Sequence, residues 1–260
     1  MGIIIGAFGT LIGAGGGFVL VPLLLLFYPA ENPDTITSIS LAVVFFNALS
    51  GSLAYAWAKR IDYRSGLLCA AATIPGAVLG ALTTTQIPRR TFDLLFGILM
   101  VAASALLCFS PKRNPKNQNT ATALDKAPTG RATGRYFFGN NRLWGAGLSV
   151  LFGYISSLLG IGAGFLYVPT FIYFLDFPVH VATATSQFIL AIMAFAGSAT
   201  HVVTGAFHNG VRRTLVLSVG VVVGAQLGAR LSSRVQGDWI MRGLAVALGF
   251  VGVRLIIMAL

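Results

Sequence analysis

Apolar residues run along this chain in long, nearly uncharged blocks, and polar residues are confined to short punctuations between them. Met1 to Tyr28 contains no charged residue, and a short acidic, proline-containing loop at 29–34 follows. The next apolar blocks are Ser38 to Trp57, Ser65 to Gln86 and Thr91 to Phe109. Between them, Lys59, Arg60, Asp62, Tyr63 and Arg64, and then Pro88, Arg89 and Arg90, mark boundaries. Ser110 to Arg142 is polar, with seven Lys or Arg against one Asp. Apolar blocks resume with Trp144 to Phe174, Thr183 to Val203, Leu215 to Leu231 and Trp239 to Leu260. A helix of about 20 apolar residues crosses a bilayer, so the pattern predicts an all-α polytopic membrane protein of about eight hydrophobic segments.

The first block is interrupted by Gly13-Ala14-Gly15-Gly16-Gly17-Phe18-Val19-Leu20-Val21-Pro22. Each glycine costs roughly 1 kcal/mol against alanine in a helix interior, and Pro22 cannot donate to the carbonyl of Phe18. Two half-helices are therefore expected, Met1 to about Ile12 and about Phe18 to Tyr28, joined by an unwound turn. Such a break survives in hydrocarbon only where the freed backbone groups face protein or a wet cavity. The second half-helix would aim its N–H groups and positive dipole end at that turn, which suits an anion.

The interrupted stretch recurs as Gly160-Ile161-Gly162-Ala163-Gly164-Phe165-Leu166-Tyr167-Val168-Pro169, at a shift of 147 residues. Downstream, Ser40 matches Ser186, Gly51 matches Gly197 and Tyr55 matches His201 at a shift of 146, and Gly76 and Gly80 match Gly224 and Gly228 at 148. The chain thus reads as two homologous four-segment repeats, 1–110 and 143–260, each opened by a Gly/Pro-broken helix, around a basic linker at 111–142. Two topologies fit this pattern. Broken elements that span the membrane give parallel repeats; re-entrant broken elements give inverted ones. The positive-inside rule places equal numbers of Lys and Arg inside in both and puts the linker in the cytoplasm in both. Inverted repeats with broken helices at the midplane are common among secondary transporters, which favours inversion.

Composition excludes several functions. Of 260 residues, 56 % are hydrophobic and 10 % charged, against about 25 % charged in soluble domains. The net charge of +11 belongs to loops at a membrane face rather than to nucleic-acid binding. The start lacks the basic region and cleavage site of a signal peptide. Cys69 and Cys108 have no metal spacing and no counterparts in the other half. A dinucleotide fingerprint would need a βαβ unit and a downstream acid, neither of which the pattern supports. No enzyme constellation, cofactor or metal is expected, and without an ATPase motif the energy would come from a gradient.

The candidate substrate-binding residues are therefore those of the two turns, Gly15, Gly16, Gly17, Phe18, Gly162, Gly164 and Phe165, through their backbone N–H groups. Side-chain candidates are Ser40, Thr185, Ser186 and Gln187 near the start of the next segment, and Asn47 within it. Helix capping would explain one hydroxyl per helix but not a group of them. An amide such as Gln187 is costly in lipid and needs a partner. Asn47 fits interhelical contact or pore lining equally. His201 is a candidate for proton coupling, since imidazole titrates near neutrality. Gly76-x-x-x-Gly80 and Gly220-x-x-x-Gly224-x-x-x-Gly228 read as helix-packing ridges.

The doubled Gly-x-Gly-Gly-Gly-Phe-x-x-Val-Pro element and the Thr-Ser pair at Thr185-Ser186 resemble the TauE/SafE family of sulfite exporters over nearly the whole chain. The second copy carries Ala163 where the first has Gly16, and the first half has Ile39-Ser40 in place of Thr-Ser. The resemblance implies a multi-pass transporter of the inner (plasma) membrane that exports small sulfur-containing anions such as sulfite, thiosulfate or organosulfonates. An anion channel, or a permease for another small anion, is the alternative. The expected partners are the anionic substrate and the lipid bilayer, with a homodimer kept as an option.

Overall fold

The computed structural model describes residues 1–29, 31–109, 142–174, 177–206, 211–232 and 249–257. Among the described residues every regular element is a helix: α1 Gly2–Ile12, α2 Gly17–Phe27, α3 Pro33–Trp57, α4 Tyr63–Thr84, α5 Arg89–Phe109, α6 Arg142–Leu159, α7 Gly164–Phe174, α8 Val179–Val203 and α9 Val211–Leu231. Residues 249–257 are also helical. Most of the basic linker lies outside the described residues. Four helices, α3, α4, α8 and α9, are long and apolar enough to cross a membrane. Leu215, Val216, Val219 and Phe250 are exposed on the outside, as lipid-facing side chains would be.

α1 and α2 are 11 residues each, about 16 Å long at 1.5 Å per residue, and so too short to cross singly. They form where the sequence pattern puts them. α3 and α8 start earlier than the apolar pattern indicates, at Pro33 and Val179. The cause is proline chemistry: Pro33 occupies the first helical turn, where its missing N–H costs nothing, and Pro178 is the residue just before α8. The polar residues of both helices thus lie inside them rather than at their caps. Thr37 and Ser38 turn their hydroxyls back onto Pro33 O and Thr35 O.

Close glycine contacts give the helix directions. A side chain on Gly2 would meet Gly220, and one on Gly224 would meet Ile3 and Ala7, so α1 runs beside α9 in the same direction. α2 turns back. Its N-cap, Gly16, lies against Ile5, while Tyr28 at its far end sits 4.0 Å beneath the guanidinium of Arg213, near the start of α9. α6 likewise runs with α4, since Gly76 meets Val150 and Tyr154, and Gly80 meets Tyr154 and Leu158. α7 turns back there: the Tyr167 hydroxyl lies 2.6 Å from Thr73 Oγ1, and its ring meets Phe152 edge-on. Each broken element is therefore a helical hairpin.

Gly51 of α3 lies near Gln187 Nε2, and Gly197 of α8 near Leu41; α3 and α8 are antiparallel. Loops then gather on two faces. On one, Arg213 pairs with the Glu31 carboxylate at 2.7 Å, while Arg89 donates to the Glu31 carbonyl and pairs with Asp93. On the other, the Asp62 N–H donates to Thr185 Oγ1 at 3.0 Å. Broken elements that crossed the bilayer would put Glu31 and Arg213 on opposite faces. The ion pair fits the hairpin arrangement instead.

Candidate anion site

The two glycine turns meet at the centre of the bundle. Gly13, Gly15 and Gly16 in one, and Gly160 and Gly162 in the other, have φ between 69° and 85°. L side chains pay roughly 1–2 kcal/mol there, which is why the turns are built from glycine. Their backbones touch. A Cβ on Gly17 would lie 2.5 Å from the Ile161 carbonyl, and one on Gly164 would strike the Gly13 carbonyl. Val44 of α3 and Leu190 of α8 close over both turns. Ser40 Oγ donates to Gly160 O at 2.6 Å, and Ser186 Oγ lies 3.0 Å from Gly13 O and 2.9 Å from Thr183 O, sharing its one proton between the turn and its own helix. Each hydroxyl thus ties a long helix to the turn contributed by the other half of the chain.

Polar side chains collect on either side of this crossover. Towards the Asp62 face, Thr10 Oγ1 donates to Asn47 Oδ1 at 3.1 Å, and Gly51 leaves room for Thr10 and Gln187 to converge. Gln187 Nε2 reaches Gly9 O at 3.5 Å, and the Tyr55 hydroxyl donates to Thr10 O at 3.0 Å. Asn47 and Gln187 are fully buried, yet among the described residues Asn47 Nδ2 and Gln187 Oε1 have no hydrogen-bond partner. A buried unpaired polar group costs about 1–3 kcal/mol. This cluster offers neutral amide donors to a small oxyanion, Asn47 Nδ2 as it stands and Gln187 after its amide turns over. An amide can present either its N–H or its C=O end once the side chain is turned over.

The expected residues fall into three groups. Asn47 and Gln187 converge, together with Thr10. Ser40 and Ser186 join the glycine turns Gly15–Gly17 and Gly162–Gly164 by holding turn carbonyls. Thr185 holds the backbone of the α3–α4 loop, Phe18 packs in the apolar core, and Phe165 is half-buried against it. His201 is fully buried near the opposite end of α8, away from Gln187. Thr10 and Ser157 are polar residues the sequence reading did not single out. Their signal was available: they occupy matching positions at the same 147-residue shift as the glycine turns.

Among the described residues no group of three His, Cys, Asp or Glu could hold a metal. The family model described as sulfite exporter TauE/SafE matches residues 1–255. The probable membrane transporter protein YunE of Bacillus subtilis is 32 % identical over 262 aligned positions, covering 98 % of this chain and 95 % of that protein. A probable membrane transporter protein of Xylella fastidiosa is 28 % identical, over 88 % of this chain and 81 % of its own length. The probable membrane transporter protein MJ0441 of Methanocaldococcus jannaschii is 23 % identical, over 97 % and 91 %. No solved structure matches. With the match running through both glycine turns and both polar helices, the chain belongs to the TauE/SafE sulfite exporter family of membrane transporters.

Proposed function

We propose that this chain is a secondary transporter that moves small sulfur-containing anions, such as sulfite, thiosulfate or organosulfonates, out across the inner membrane. The observation that carries this reading is the uncharged, fully buried Thr10–Asn47–Gln187 cluster beside the glycine crossover. Neutral donors bind an oxyanion without holding it as a lysine or arginine would, so release remains easy. The N-termini of α2 and α7 add positive dipole ends at the adjoining crossover, with the N–H groups of Gly16, Gly17 and Gly164 as candidate donors. Touching turns between two polar clusters act as a barrier, as alternating access requires.

The two halves are read as inverted repeats. Their contacts come in matched pairs: α1 with α9 and α6 with α4, Ser40 with Gly160 and Ser186 with Gly13. The face that carries Lys59, Arg60 and the end of α9 is the cytoplasmic one by the positive-inside rule, and the linker lies on that side.

The test is uptake by proteoliposomes containing the purified protein, screened with sulfite, thiosulfate, sulfoacetate and chloride. The expected result is saturable flux of at least one sulfur anion, with counterflow when the lumen is preloaded. Flux that does not saturate and shows no counterflow would make the protein a channel. Flux of chloride alone would remove sulfur anions as the substrate class.

A further inference from the structure

We propose that His201 and Ser157 form a second anion-binding station, on the Glu31 side of the glycine crossover. It extends the transport reading and takes the same chemical class, a small oxyanion held by neutral donors.

Ser157 and His201 are both fully buried, and among the described residues neither the Ser157 hydroxyl nor either ring nitrogen of His201 has a hydrogen-bond partner. A neutral imidazole always presents one donor and one acceptor, so the ring leaves two polar atoms unmatched. Ser157 and His201 lie on the same side of α8. A Cβ on Gly197 would lie 2.7 Å from Ser157 Oγ, and His201 is one turn beyond Gly197 on the same face of α8.

The first half of the chain shows what a closed version of this site looks like. Tyr55 occupies the position of His201, Thr10 that of Ser157, and the Tyr55 hydroxyl donates to Thr10 O. An imidazole is shorter than a phenol. At the matching place His201 stops short of the Ser157 carbonyl, and its nitrogens are left for something else. The first half thus fills with a tyrosine what the second half leaves to a ligand.

The test uses the purified full-length protein, with melting curves and calorimetric titration against sodium sulfite, thiosulfate, nitrate and chloride, and gluconate as the ionic-strength control. At least one anion should raise the melting temperature of the wild type. His201→Tyr should melt higher than the wild type without anion, because its hydroxyl reaches the Ser157 carbonyl. It should bind the stabilising anion at least about tenfold more weakly. Ser157→Ala should weaken binding in the same direction. His201→Asn, which keeps a donor and an acceptor, should recover part of the affinity and guards against a variant that fails to fold. If the stabilising anion is nitrate or chloride and not a sulfur oxyanion, the sulfur reading fails while the station is still judged on these variants. Wild-type affinity in both His201→Tyr and Ser157→Ala, or no stabilisation of the wild type by any anion, would overturn it.

Discussion

Ser40 and Ser186 show how a polar side chain in a membrane helix can serve the backbone rather than a ligand. Ser40 gives its proton to a turn carbonyl, and Ser186 shares its own between the Gly13 carbonyl and Thr183 O of its own helix. Ser40→Ala should cost about 1–3 kcal/mol, since a buried carbonyl then goes unmatched, and Ser186→Ala, whose proton is shared, should cost less. The melting temperature of purified protein should fall in both, and an unchanged value would show that the turns hold without them. Asn47 and Gln187 are the opposite case. Gln187→Leu removes an amide oxygen that has no partner and only a 3.5 Å contact from Nε2 to Gly9 O, so melting should stay level or rise. Asn47→Leu also takes away the acceptor of the Thr10 hydroxyl, so its melting should stay level or fall. Binding of the transported anion should weaken by roughly two-fold to over a hundred-fold, the range of one lost hydrogen bond, as read by titration. The sequence showed that these amides and hydroxyls were out of place in lipid. It did not show which would face a carbonyl and which would be left open, because that depends on contacts across more than 100 residues of chain.

At the scale of elements, the half-helices were legible because glycine and proline act locally. α1 and α6 end, and α2 and α7 begin, within a residue or two of the glycine runs. The starts of α3 and α8 were misjudged because a proline that ends one helix can equally begin the next. The direction of the second half-helix was not legible at all. Hydropathy is the same whether α2 continues through the bilayer or turns back, and the charge distribution fits both. The packing ridges decide much of the stability here. A side chain on Gly76 would strike the Val150 carbonyl, and one on Gly224 the Ile3 carbonyl. Gly76→Ala and Gly224→Ala must push helices apart, at a typical overpacking cost of about 1–3 kcal/mol. Gly147, on α6, has nothing within 4 Å of a Cβ. Gly147→Ala should be neutral or stabilise by up to about 1 kcal/mol through helix propensity. Melting curves of the three variants should separate in that order, and equal losses would contradict the packing account.

For the whole molecule, the central claim is that the two hairpins enter from opposite faces and meet at the glycine crossover, each backed by a buried polar cluster. The ion pair of Glu31 with Arg213 and the bond from Asp62 to Thr185 sort the loops onto those two faces. Membrane-impermeant thiol labelling tests this most directly, in a background where Cys69 and Cys108 are replaced. Asn32→Cys and Arg212→Cys are both at exposed positions and should label from the same side of sealed vesicles. Lys59→Cys, exposed in the α3–α4 loop, should label only from the other side. Labelling of positions 32 and 212 from opposite sides would mean that the broken elements cross the membrane, and would contradict the account.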